Sequence, residues 1–140
     1  MSVANSEKDN GANISPDLEW ANVPSAARSL ALVVHDPDAP HPNGFYHWLV
    51  VDIPTTITGI AKGAKFAPPA RELNTDFGVP GYNGPCPPRG SGPHHYHFTL
   101  YAIAVEKLDI PTGAGPHEIA SAIQAAALGQ TTITGLYKRE

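Results

Sequence analysis

Proline and glycine cut this chain into short pieces. Its 140 residues include 15 prolines and 13 glycines. Proline fixes φ and removes a backbone donor, and glycine loosens whatever element contains it, so few stretches are long enough for a helix. The segments between are β-branched and aromatic, which reads as short strands joined by turns and hence as an all-β protein. No G-X-Y period accompanies the high glycine and proline content, so the chain is not collagen-like. Apolar residues make up 41% and charged residues 16%, a globular balance that fits one domain over residues 1–140 with one core.

Residues 1–13 are polar throughout and are expected to be poorly ordered. "SPDLEWANVP" predicts a short strand around Trp20. "RSLALVV" (28–34) is apolar and β-branched from Leu30 onward and predicts a buried strand. "DPDAPHPNG" (36–44) is a turn-rich loop. "FYHWLVVDI" (45–53) predicts a central strand, and "HYHFTLYAIAV" (95–105) the strongest one. Between them, residues 54–93 show no convincing period beyond a weak strand near 57–60. A connection of that length in a compact domain commonly walls a site. "PHEIASAIQAAAL" (116–128) is the one good helix. Pro116 suits its first position and Glu118 its first turn, Ile119, Ile123 and Ala126 share a face, and Gly129 supplies a stop. "TTITGLY" (131–137) predicts a closing strand.

The charge balance excludes one class of partner. Nine Lys and Arg against 13 Asp and Glu give −4, and no basic run occurs, so nucleic acid is a poor candidate. The single cysteine, Cys86, has no intrachain disulfide partner. No apolar run is long enough to span a bilayer, and the start of the chain has no signal-peptide pattern, so the expected location is cytoplasmic.

The unusual chemistry gathers at three loop–strand junctions: Asp36 and Asp38 after the 28–34 strand, His47 in the next strand, and His94 with Tyr96 entering the strand at 95. Side chains alternate along a strand, so His94, Tyr96 and Phe98 share one face and His95 and His97 the other. Imidazolium, phenol and glycine-rich backbone N–H groups are all donors, a set that suits a small oxyanion. An aspartate behind a histidine would hold its tautomer. The bland alternative is that these are satisfied polar groups at strand ends, and the residues alone leave it open.

Other chemistries have weaker support. His95 and His97 share a face, as metal ligands in β-barrels do, but the next carboxylate along the strand is Glu106 at its far end. Cys86 sits between prolines with no helix N-terminus to lower its pKa, and reads as a packing residue. A serine nucleophile, a P-loop and a dinucleotide fingerprint are all missing, and no cofactor is called for. Acid–base catalysis by two histidines and a carboxylate, a His-dependent metal site, and a pure protein-interaction module stay as alternatives. The prolines of "APHP", "APP" and "GPCPP" stiffen a wall or simply make turns, and the bond from Ala39 to Pro40 is the expected cis peptide. Trp20 and Trp48 read as core.

In order along the chain, "ISPDLEWANVP", "SLALVVHDPDAP", "HWLVVDIP", "NTDFGVPGYNGPCPPRG" and "PHHYHFTLYA" resemble the phosphatidylethanolamine-binding protein family, closest to its bacterial Raf-kinase-inhibitor-like branch. The resemblance runs from about Ile14 to Tyr137. It implies a sandwich of two antiparallel sheets with few helices and a small anion pocket at one end. Carried over by position, that pocket comprises Asp36, His47, His94 and Tyr96, with Cys86 and Pro88 in its wall. It implies a phosphate, phosphoethanolamine or phosphorylated group as ligand, with a kinase or protease as the kind of protein inhibited. Two departures stand out. The family usually carries Arg between the His and Tyr, where this chain has His95, and an N-terminal strand of the relatives is expected to be missing or reduced. A shortened edge of that kind leaves room for a homodimer.

Overall fold

The structure is a computed structural model that describes residues 1–4, 15–39, 42–82 and 94–137, with the backbone alone for His94 and residues 135–137. The chain forms β1 (Ser2–Ala4), β2 (Leu18–Ala21), β3 (Ser29–Asp36), β4 (Phe45–Ile53), β5 (Gly59–Ile60), β6 (Arg71–Glu72), β7 (His94–Ile103), α1 (Pro116–Ala125) and β8 (Ala127–Tyr137). These make two antiparallel sheets, a small one ordered β1-β2-β5 and a large one ordered β6-β4-β3-β7-β8. The sandwich expected from the sequence is present, with one short helix.

The large sheet is buried on both faces. Leu30, Leu32 and Val34 of β3 meet Leu18 and Trp20 of the small sheet, together with Trp48, Val50, Phe98 and Leu100 of the neighbouring strands. Ala31 and Val33 point the other way, toward Leu49, Val51, Tyr101 and the helix residues Ile119, Ala120 and Ile123. A strand covered on both sides has no polar face, which is why Leu30 to Val34 read as an unbroken apolar run. Trp20 and Trp48 are core, 5% and 1% exposed, and each indole N–H finds an acceptor, the Ile57 carbonyl at 2.8 Å and Glu72 Oε1 at 2.6 Å.

Several boundaries differ from expectation. Ser2–Ala4 pairs with β2 where a frayed start was expected; residues 5–14 lie outside the described residues. The helix ends at Ala125, and Gly129 is no stop signal: it sits within β8, paired with Ala102. The alanine run has ample helix propensity, but pairing 127–137 against β7 fills the edge of the large sheet, and that tertiary gain overrides propensity. At the other end of α1, Glu118 Oε1 accepts from the Gly115 N–H at 3.5 Å, and Pro116 occupies N1. The two-residue strand β6 has no sequence signal of its own. The cis peptide among the described residues is Pro68–Pro69; Pro40 lies outside them. Among the described residues no helix is long and apolar enough to cross a membrane.

Asp52 ties the far end of β4 to its surroundings. It has φ +59° at a second irregularity of the β3–β4 pairing. Its Oδ1 accepts from the buried Leu108 N–H at 2.8 Å and its Oδ2 from Arg71 Nε at 2.7 Å. Asp52→Ala should cost about 1–3 kcal/mol in urea denaturation, the penalty for orphaning a buried N–H. The ion pair adds little, because the Arg71 side chain is 36% exposed. Asp52→Asn keeps an acceptor and tolerates positive φ, so it should lie much closer to the parent chain.

Tyr46, on the helix side, gives a pH signature. Burial, reinforced by the negative charge of ionised Tyr101 and of Asp76, raises its phenol above the ordinary value of 10.0. The fold favours the neutral phenol, while the unfolded chain ionises at the ordinary value. The contribution is therefore complete below pH 10.0 and is lost as pH rises through the higher folded value. Tyr46→Phe should show a shallower alkaline decline in stability, followed by denaturant melts across that range.

Candidate functional site

The site begins with a register shift. On β3 and β4, Val34 pairs with Trp48 and His35 with Tyr46. One step along β3 matches two along β4, and His47 is the extra residue. Such a bulge bends the strand and re-aims a side chain. Its effect shows on either side: Tyr46 packs with Leu49 and Val51 toward the helix, whereas Trp48 packs with Val50 between the sheets. The His47 ring meets the edge of Tyr96, with centroids 4.8 Å apart and planes at 84°. Tyr96 lies on the inter-sheet face of β7 with Phe98 and Leu100, so the bulge brings His47 to that side.

Asp36 completes the group at this end of the sheet. It pairs with Phe45, two residues before His47. One step beyond the His35–His97 pair stands Asp36 on β3 and Tyr96 on β7. Its Oδ1 accepts from the Asp38 N–H at 2.8 Å, an Asx turn that closes the strand. Asp36, His47 and Tyr96 are 2%, 4% and 2% exposed. Burying a carboxylate, an imidazole and a phenol is costly unless each is hydrogen-bonded. Among the described residues no buried side-chain nitrogen or oxygen lacks a partner.

Of the other expected site residues, His94 opens β7 with its backbone paired to Tyr137, and its side chain lies outside the described residues, as do Cys86 and Pro88. His95 and His97 face away from Tyr96, as alternation requires. Each ring is turned to its own partner: His95 Nδ1 lies 2.8 Å from Asp38 Oδ2 and His97 Nδ1 2.8 Å from Thr134 Oγ1. The rings stack at 6.4 Å and 10° without converging on a shared point. No group of three or more His, Cys, Asp or Glu side chains among the described residues could hold a metal ion. Asp38 Oδ2 also accepts from the His95 N–H at 2.8 Å, so Asp38 braces the 36–39 turn against β7. At this position the imidazole faces away from Tyr96 and ties the loop after Asp36 to β7.

Two aromatic rings escaped sequence reasoning. Phe45 and Phe77 flank His47 at 5.1 and 5.5 Å and touch each other at 4.7 Å. Phe77 is delivered by the turn "TDFG". Asp76 Oδ2 accepts from the Tyr46 N–H at 2.8 Å, and the Asp76 N–H donates to the Tyr46 carbonyl at 3.2 Å. Thr75 Oγ1 accepts from the Phe77 N–H at 3.2 Å, and Gly78 takes φ +81°. Thr-Asp-x-Gly is a recognisable turn sequence, but nothing in it points to β4 as the docking partner.

Comparison with known proteins agrees with this architecture. A family model described as "Phosphatidylethanolamine-binding protein" matches residues 2–138. The chain belongs to that family. Escherichia coli YbcL is 37% identical over 91% of this chain and 73% of its own length. The crystal structure of YbcL, described as a new member of the mammalian PEBP family, superposes with a TM-score of 0.91 over 99% of this chain and 98% of that one, at 32% identity. An Aquifex aeolicus UPF0098 protein is 40% identical over 93% of this chain and 77% of its own. A Mycobacterium tuberculosis relative, 43% identical over 91% of this chain and 62% of its own, carries a lipoprotein name.

Gly44 is where this end is most sensitive to a side chain. It has φ +67°, and a Cβ there would collide with the Asp36 carbonyl oxygen and stand 2.6 Å from His35 Nε2. Gly44→Ala should cost about 2 kcal/mol or more from the left-handed backbone and the clash together. Urea denaturation measures the loss, and amide shifts of Asp36 and His47 should move with it.

Proposed function

We propose that this chain binds a small anionic group without transforming it, at the end of the sheet where Asp36, His47 and Tyr96 meet. The group is a phosphate, free or carried on a phospholipid head or a phosphorylated partner. His47 donates from its ring, Tyr96 through its hydroxyl, and Asp36 orients a histidine; His94 is the second imidazole donor, and Cys86 and Pro88 belong to the wall. The observation that carries the reading is the bulge at His47. Strict alternation would turn this ring toward the helix, and the extra residue turns it onto Tyr96 instead. The family description, a phosphatidylethanolamine-binding protein, supports the same ligand class.

Acid–base catalysis uses similar groups, but no specific observation at this site favours it over binding. Action on a kinase or protease would follow from sequestering a phosphorylated segment, and a cytoplasmic setting belongs to the same proposal. Cell fractionation tests that setting, which the lipoprotein name of one relative makes worth measuring.

Titration calorimetry with phosphate and with phosphoethanolamine tests the binding. Affinity should fall between about pH 6 and about pH 8, after correction for ligand ionisation, since a histidine loses its proton over that range. His47→Ala should abolish binding. Tyr96→Phe, which keeps the packing, should weaken it about tenfold through loss of one donor. Equal affinity at both pH values and in both variants would remove the proposal.

A further inference from the structure

The opposite end of the large sheet carries different chemistry. There a basin of about 550 Å³ opens between the start of β3, the end of β4, Pro69 and the segment after β7. Three cations line it, Arg28, Arg71 and Lys107, against two acids, Asp52 and Glu106. A local excess of positive charge is notable on a chain of net charge −4.

The hydrogen bonds show which of these charges is already used. Asp52 is neutralised by Arg71 and by the Leu108 N–H, and Arg71 Nη2 donates to the Leu108 carbonyl at 2.7 Å. The Ser29 hydroxyl donates to the Val105 carbonyl at 2.6 Å. Neither Arg28 nor Lys107 makes a side-chain hydrogen bond or ion pair with any described residue. Arg28 is nevertheless fixed at its root: its N–H donates to the Ile103 carbonyl at 2.8 Å and β3 begins at the next residue. A guanidinium on a fixed backbone presents a planar fork that matches a carboxylate or phosphoryl group. Thr55 and Thr56 also line the basin, and their hydroxyls offer neutral donors.

We propose that this basin is a second anion site, taking a small ligand with a phosphoryl or carboxylate group. Arg28 clamps the anion, Lys107 supplies a point charge, and Thr55 and Thr56 donate to its remaining oxygens. The site is independent of the one containing His47. The length of β3 separates the two by about 25 Å, beyond the span of a small ligand. Glu106 is the acid of the lining that no cation neutralises, so it opposes binding and sets a sign that can be read.

The test is an amide chemical-shift titration of the full chain with inorganic phosphate and, in a separate arm, with succinate. Saturable shifts at Arg28, Thr55, Thr56 and Lys107 in either arm support the site, and the responding arm identifies the group. Arg28→Gln should weaken the titration about tenfold or more, as loss of a charge-assisted pair does, and Glu106→Gln should tighten it. His47→Ala should leave it unchanged, which separates this site from the first. The spectrum of Arg28→Gln reports its folding, and Lys107→Gln gives a second test on an exposed residue. Shifts confined to the His47 end, or basin shifts that neither Arg28→Gln nor Lys107→Gln alters, would overturn the proposal.

Discussion

Everything in this molecule depends on β3 being central and covered on both faces. It pairs with β4 on one side and β7 on the other, and its side chains fill two separate cores. Such a strand has no solvated face on which to carry chemistry. Polar groups are admitted only where the strand stops, so they gather at the two ends of the sheet. At one end stand Asp36, His47 and Tyr96; at the other, Arg28 and the Asp52–Arg71 pair. The turn-rich connections beyond these ends are where so much proline and glycine is needed.

A sheet end alone does not make a site, because alternation sends successive side chains to opposite faces. Two register irregularities in the β3–β4 pairing resolve this, one near each end. The first makes His47 an extra residue and turns it to the side where Tyr96 lies. The second falls where Asp52 takes positive φ and bonds Arg71 and Leu108. Bulges recur next to functional sites because they break the period of two locally and leave the rest of the pairing intact. Here the same device serves both ends of one strand pair.

The strands themselves were legible in the sequence because burial and period leave a direct trace. The run from Leu30 to Val34 is apolar throughout, and alternation along "HYHFTLYAIAV" puts Tyr96 and Phe98 on one face and His95 and His97 on the other, as the structure has them. His47 was not legible in this way. Counting by twos from Leu49 and Val51 places it on the helix face, so its grouping with Tyr96 rests on residue chemistry and the family resemblance, not on alternation. A bulge depends on pairing between two strands, which neither strand's own sequence records. The alanine run after α1 misled for a related reason: its helix propensity is local, while its strand pairing is set by β7. Phe77 was missed because its turn is recognisable but its docking onto Tyr46 is not.

The position of His95 joins these points. On alternation its side chain faces away from Tyr96. The imidazole nonetheless ties down the turn beside Asp36. Asp38 takes both its backbone N–H and its Nδ1, and Asp38 is two residues from Asp36, whose carboxylate caps the same turn. The outer face of β7 is thus tied to the loop that begins at the site's carboxylate. The brace is made on the outer face of β7, opposite the face on which Tyr96 packs with Phe98 and Leu100.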